Sequence, residues 1–152
     1  MKTKHENYIL LLDPALQNFN GTLSFNIGDQ IISESVDRIL AELFPDHEIQ
    51  RLSTHEYFTS AEKEIINNAR YTFVGGSNIL TSDIRNFPRF SPVKRKGFYL
   101  FPGFRNVILF GTGWSQYERS MDWATKIYYR NVLHKKIYHS IRDNYSLSMI
   151  QK

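Results

Sequence analysis

The sequence predicts an α/β fold, a Rossmann-like parallel sheet flanked by helices. Short apolar runs alternate with stretches of helical periodicity along the whole chain. The first run, Tyr8-Ile9-Leu10-Leu11-Leu12, is apolar without a break, as a parallel strand buried on both faces requires. Later runs close in polar or glycine turns: Val74-Gly75-Gly76-Ser77-Asn78, Gly111-Thr112-Gly113 and Ser140-Ile141-Arg142-Asp143. Open α/β sheets place ligands at such turns, outside the carboxyl ends of their strands.

After the first strand, a polar loop through Asn18, Asn20 and Gly21 leads to Asn26-Ile27-Gly28-Asp29, which opens a helix. Asp29 is expected to cap that helix with its carboxylate. Ile32, Val36, Ile39, Leu40 and Leu43 form an apolar stripe at helical spacing, and Pro45 ends it. Glu48–Ser53 reads as a second strand. Thr59-Ser60-Ala61-Glu62 is a capping box for a short helix through Ala69. Tyr71–Val74 and Val107–Phe110 are the third and fourth strands. Ser120 is expected to cap a helix with Ala124, Ile127, Tyr128 and Val132 on one face. Lys136–Ile141 is expected as a fifth strand, with a short helix from about Ser146.

Composition bounds the class. At 152 residues, with 41% hydrophobic and 22% charged residues, the chain suits one folded domain spanning 1–152. It has no cysteine, so disulfides and thiolate metal sites are excluded. The polar start, Met1 to Asn7, and the short Tyr8–Leu12 run do not make a signal peptide, and no run reaches transmembrane length. A cytoplasmic protein is expected.

Several chemistries fail on spacing. The first strand runs into Asp13-Pro14, and Gly21 and Gly28 do not supply a dinucleotide fingerprint. No G-K-[ST] marks a phosphate loop, and His55-Glu56 is followed by Thr59 where a zinc protease needs histidine. His5, His47, His134 and His139 lack metal-ligand spacing, so no metal is expected. No G-x-S-x-G elbow is present.

The net charge of +4 is unevenly placed. From Arg85 to Tyr117 there is no acidic residue, while Arg85, Arg89, Lys94, Arg95, Lys96 and Arg105 alternate with aromatics and prolines. An anion-seeking surface loop is one reading, and aromatics packed under a long loop with solvated cations is the other. Nucleic acid is not expected as a partner, because no recognition signature accompanies the charge.

Asn26-x-Gly28-Asp29, Gly75-Gly76 and Arg142-Asp143-x-x-Ser146 occur in that order, each placed after a strand or before a helix. Together they resemble the polysaccharide pyruvyl transferase family across nearly the whole chain. The resemblance implies one domain of a GT-B-like, two-domain transferase, with the second domain absent from these residues. It implies that pyruvate moves from phosphoenolpyruvate, the donor, onto two hydroxyls of a cell-surface or exopolysaccharide glycan, forming a ketal. No other cofactor is implied.

On this reading Arg142 is the natural anion ligand, since a guanidinium matches phosphate and carboxylate bidentately. Asp29 is a candidate general base on an acceptor hydroxyl, or simply a helix cap. Asn26, Gly28, Gly75, Gly76, Ser77, Asn78 and Gly113 are candidate substrate-binding positions through backbone and amide donors. Gly75 and Gly76 would alternatively serve close packing, and Arg142-Asp143 a structural pair. Trp114 and Tyr117 would stack on a sugar ring or sit in the core. The family's second domain contributes a histidine and basic residues that have no counterpart here, so these residues alone are expected to be catalytically incomplete. They would need that domain or a partner chain. The alternative is a non-catalytic domain binding a glycan or a lipid-linked diphosphate, with peripheral contact at the inner face of a membrane through Arg85–Arg105.

Overall fold

The structure, a computed structural model, describes residues 7–56, 58–83, 105–115 and 121–151. The basic-aromatic stretch 84–104, Tyr117 and Ser120 lie outside the described residues. The elements run β1 (Tyr8–Asp13), α1 (Ile27–Leu43), β2 (Glu48–Ser53), α2 (Ser60–Asn68), β3 (Tyr71–Gly75), β4 (Val107–Thr112), α3 (Trp123–Val132), β5 (Ser140–Ile141) and α4 (Asn144–Ile150). The five strands form one parallel sheet in the order β2-β1-β3-β4-β5. This is a Rossmann-like doubly wound order whose direction reverses between β1 and β3. Among the described residues no helix is long and apolar enough to cross a membrane.

Strand alternation divides the core in two. Tyr8, Leu10, Leu12, Val74 and Leu109 face one layer, with Ile66, Tyr129, Val132 and Met149 from α2, α3 and α4. Ile9, Leu11, Phe73 and Ile108 face the other, where α1 brings Val36 and Leu40. Ile9, Leu10, Leu11 and Leu12 are fully buried, and each such side chain contributes about 1.5–3 kcal/mol. That explains the unbroken apolar run, because alternate residues feed different layers.

Only part of the stripe foreseen on α1 is inward. Ser33, Val36 and Leu40 are its buried residues, whereas Ile39 and Leu43 are exposed. The cap also differs from expectation. Asn26 is the N-cap, its Oδ1 accepting from the Gly28 N–H at 3.0 Å, and Asp29 lies in the first turn. On α2 the capping box forms as read: Thr59 N–H donates to Glu62 Oε2 at 2.6 Å. Burial alone would raise the Glu62 carboxyl, but the bonds from Thr59 outweigh it and hold it below the usual range.

The α3 face is rotated from the expected one. Thr125, Tyr129 and Val132 are buried, and Ile127 is exposed. Tyr129 fixes the rotation, its hydroxyl accepting from Thr81 N–H at 2.9 Å and donating to Thr81 O at 3.3 Å. Asp122, rather than Ser120, caps this helix through the Thr125 N–H at 2.7 Å.

The fifth strand is shorter than Lys136–Ile141. Only Ser140 and Ile141 pair with β4. Upstream, the His139 ring replaces the backbone: Leu109 N–H of β4 donates to its Nδ1 at 3.1 Å, and its Nε2 lies 3.0 Å from His134 O. Lys136 and Ile137 turn their N–H groups onto His134 Nδ1. Burial lowers the His139 pKa from 6.5 and outweighs the bond to His134 O, which raises it, with the charge of the His134 ring a lesser lowering cause. Since the native pKa lies below the unfolded one, the stabilisation is complete above about pH 6.5 and is lost as pH falls through the native value. Urea midpoints should therefore fall between pH 7.5 and pH 5 by more in the parent than in His139→Gln. Parallel declines would refute the assignment.

Gly76 has a left-handed φ of +39°, and a Cβ there would stand 1.9 Å from Ile32 Cγ2. The sheet end and α1 touch at this point, so Gly76→Ala must displace the Ile32 side chain or the helix that carries it. A loss of about 1–3 kcal/mol is expected in urea unfolding, from overpacking and backbone strain together. An unchanged midpoint would exclude this contact.

Candidate active site at the carboxyl edge of the sheet

The turns after β3 and β4 continue the ladder beyond the strands. Gly76 N–H donates to Phe110 O at 2.8 Å, Gly113 N–H to Ser77 O at 3.0 Å, Leu80 N–H to Gly113 O at 3.1 Å and Ser115 N–H to Leu80 O at 2.7 Å. These bonds make residues 76–80 and 113–115 a hydrogen-bonded platform rather than free loops. Ile79 and Leu80 anchor it in the core, and Asn78 stands exposed on it.

Arg142 meets this platform from β5. Its N–H donates to Thr112 O at 3.1 Å, and its Nη1 donates to Asn78 Oδ1 at 3.0 Å. Gly113 lies beneath the pair. A Cβ at 113 would stand 2.3 Å from Asn78 Oδ1 and 3.1 Å from Arg142 Cδ. Thus Asn78, Gly113 and Arg142 form one cluster although three different strands deliver them.

The remaining residues of Arg142-Asp143-x-x-Ser146 divide the structural work. Asp143 caps α4, its Oδ1 accepting from Ser146 N–H at 2.7 Å. That bond first, and Arg142 among the lesser causes, hold the Asp143 carboxyl below its ordinary value. Ser146 is fully buried, and its Oγ accepts from Trp114 N–H at 2.8 Å. Trp114 itself is a core residue. Its indole is 5% exposed, donates to Ser82 Oγ at 3.3 Å and meets Tyr129 edge-on. The ring is therefore turned inward, away from any solvent-side ligand.

A groove of about 330 Å³ runs beside the cluster, lined by Ile31, Ile32, Ser35, Gly76, Gly111 and Arg142 among others. Gly111 has φ +67° and falls where the β4–β5 register shifts, so two β4 residues oppose one of β5. A guanidinium has five N–H donors. Nη1 is engaged by Asn78, and among the described residues no other hydrogen bond is made by the Arg142 side chain.

The Asn26-x-Gly28-Asp29 turn forms a second, separate cluster. Asn26 is occupied as the cap, Ser24 Oγ donates to Asp29 Oδ2 at 3.4 Å, and Gln30 Nε2 donates to Ser24 O at 2.7 Å. Among the described residues no hydrogen bond joins this turn to Asn78 or Arg142. The two clusters are linked mechanically, by Ile32 of α1 against Gly76. Gly75 packs against Leu11, where a Cβ would stand 3.2 Å from its Cδ1.

One polar network went unread in the sequence. Asp13, at the carboxyl end of β1, is fully buried. It accepts from Arg51 Nη1 at 2.5 Å, Ser33 Oγ at 2.8 Å and Ala15 N–H at 2.8 Å, and Arg51 also pairs with Asp37. The available signal was a carboxylate ending a wholly apolar strand, immediately before a proline.

The Rossmann-like sheet carries a tethered arginine at its carboxyl edge, where open α/β sheets place their ligands. The family model for polysaccharide pyruvyl transferase matches residues 26–152, and the chain belongs to that family. Comparison with curated proteins finds no match, and comparison with solved structures finds none.

Proposed function

We propose that the carboxyl-edge cluster binds the phosphoenolpyruvate donor of a pyruvyl transfer to a glycan, with Arg142 as the anion ligand. The observation that carries this reading is the donor edge of Arg142, which among the described residues only Asn78 engages, beside the groove lined by Gly76 and Gly111, supported by membership of the family. Phosphate and carboxylate are both planar-fork acceptors for a guanidinium. Fixing such an anion beside C2 is what the chemistry needs, since phosphate leaves from that carbon.

The transfer balances as follows. A proton adds to the C3 methylene, C2 becomes electrophilic, and two sugar hydroxyl oxygens bond to it in turn. The C2–O bond to phosphate breaks and the phosphate takes the electron pair. Of the two hydroxyl protons, one replaces that added at C3 and the other leaves with phosphate. Asp29 is assigned the general base on an acceptor hydroxyl, and Asn26, Gly28, Gly75 and Ser77 the shaping of the substrate-facing turns. The acceptor is a cell-surface or lipid-linked glycan. Further donor contacts are assigned to a second domain or partner chain in a GT-B-like cleft.

Titration with phosphoenolpyruvate by calorimetry is the deciding measurement. Saturable binding, competed by inorganic phosphate, is expected. Adding an oligosaccharide acceptor together with the complementary domain should then produce a ketal methyl resonance and free phosphate in equal amounts. No binding at millimolar donor would overturn the reading.

A further inference from the structure

Resting on the donor-site reading above, we infer that Asn78 is a positioning residue: it orients the Arg142 guanidinium and does not itself contact the donor. Asn78 spends its Oδ1 on Arg142 Nη1 at 3.0 Å, bridging a separation of 64 residues in sequence. Its backbone is held by the ladder bonds on either side, Gly113 N–H to Ser77 O and Leu80 N–H to Gly113 O. The acceptor is therefore carried on a short side chain from a backbone fixed to the sheet, while the arginine is a long exposed side chain. Ordering such a side chain on binding costs rotamer entropy, and a tether made beforehand removes that cost.

Gly113 is the complement of the tether. No φ in the left-handed region demands glycine there, so the constraint is space: a Cβ would overlap Asn78 Oδ1 at 2.3 Å and crowd Arg142 Cδ at 3.1 Å. Alanine at 113 is conformationally permitted but must push the amide and the arginine apart. Two separate substitutions thus remove one interaction, and neither removes the guanidinium.

The test combines a spectroscopic readout with binding. In nitrogen-15 NMR at low temperature, an Arg142 Nη1–H resonance should be dispersed and slow to exchange in the parent. It should move to the position of a free arginine in both Asn78→Ala and Gly113→Ala. Each variant should bind phosphoenolpyruvate and inorganic phosphate about tenfold more weakly, the size of one lost ordering interaction. In an Arg142→Lys background, Asn78→Ala should cost less than about twofold, because an ammonium has no plane to orient. An unchanged Arg142 resonance in Asn78→Ala overturns the inference. So does a full tenfold loss in the Arg142→Lys background, which would make Asn78 a direct ligand and leave the donor-site reading standing. Failure of the parent to bind either anion would instead remove the donor site, and the positioning role with it.

Discussion

Asp13→Ala should cost about 2–5 kcal/mol of stability, since two donors, the Ser33 hydroxyl and the Ala15 N–H, lose a buried acceptor at about 1–3 kcal/mol each. The carboxylate is fully buried and serves β2 through Arg51, α1 through Ser33 and the following loop through Ala15 N–H. Removing it takes the acceptor from the Ser33 hydroxyl and the Ala15 N–H and leaves Arg51 with Asp37 and Ser33 Oγ. Against a total stability of about 5–15 kcal/mol for an ordinary domain, that is a large share. Asp13→Asn should cost less, since an amide oxygen keeps one acceptor. The double variant Asp13→Leu with Arg51→Met should recover part of the loss, because a buried pair is often replaceable by apolar residues of similar volume. Urea unfolding of the set decides it. A loss below about 1 kcal/mol for Asp13→Ala would mean water or Asp37 compensates, and the network does not hold the sheet end.

The location of this network explains why it matters for the site. It ties β1, β2 and α1 together at the carboxyl end of β1, one of the two strands that flank the reversal of strand order. Ile32, one residue before Ser33, is the side chain that meets Gly76. A loosened α1 would therefore move one wall of the groove beside Arg142.

Where the sequence was legible, the information was local. The wholly apolar Tyr8–Leu12 run, the Thr59-to-Glu62 box and the strand Glu48–Ser53 each carry their own geometry within a few residues. Where side chains competed with the backbone, the reading went astray. His139 takes a ladder bond that a fifth strand would otherwise make, and periodicity registers no such exchange. The α3 face turned on Tyr129, whose hydroxyl answers to Thr81 far along the chain. Asn26 and Asp29 are both competent caps, and only the turn geometry chose Asn26.

The candidate site divides in the same way. Arg142-Asp143-x-x-Ser146 could be placed after a strand, and its position at the sheet edge follows from that. An aspartate before a helix is a local capping signal, but nothing local indicated that Ser146 would pin Trp114, leaving Arg142 as the outward member. Nor could spacing reveal that Asn78 and Gly113 converge on it, because strand order is a property of the assembled sheet.

Under the donor-site reading, Arg142→Ala should weaken phosphoenolpyruvate by about 100-fold while barely altering the fold. Two charge-assisted hydrogen bonds from one guanidinium, at about 1.5 kcal/mol each, make about 3 kcal/mol, or roughly 150-fold in affinity. Arg142→Lys keeps the charge but loses the fork, and should fall between the parent and alanine. Stability is the control that separates binding from folding. Arg142 is exposed and, among the described residues, its side chain makes one hydrogen bond, to Asn78, so its removal should shift unfolding by no more than about 1 kcal/mol. Binding should be compared at fixed ionic strength, since an exposed cation attracts any anion at low salt. A general electrostatic effect would make alanine and lysine differ fully and arginine and lysine not at all. A bidentate site would separate all three, and an affinity for Arg142→Ala within threefold of the parent would place the donor elsewhere.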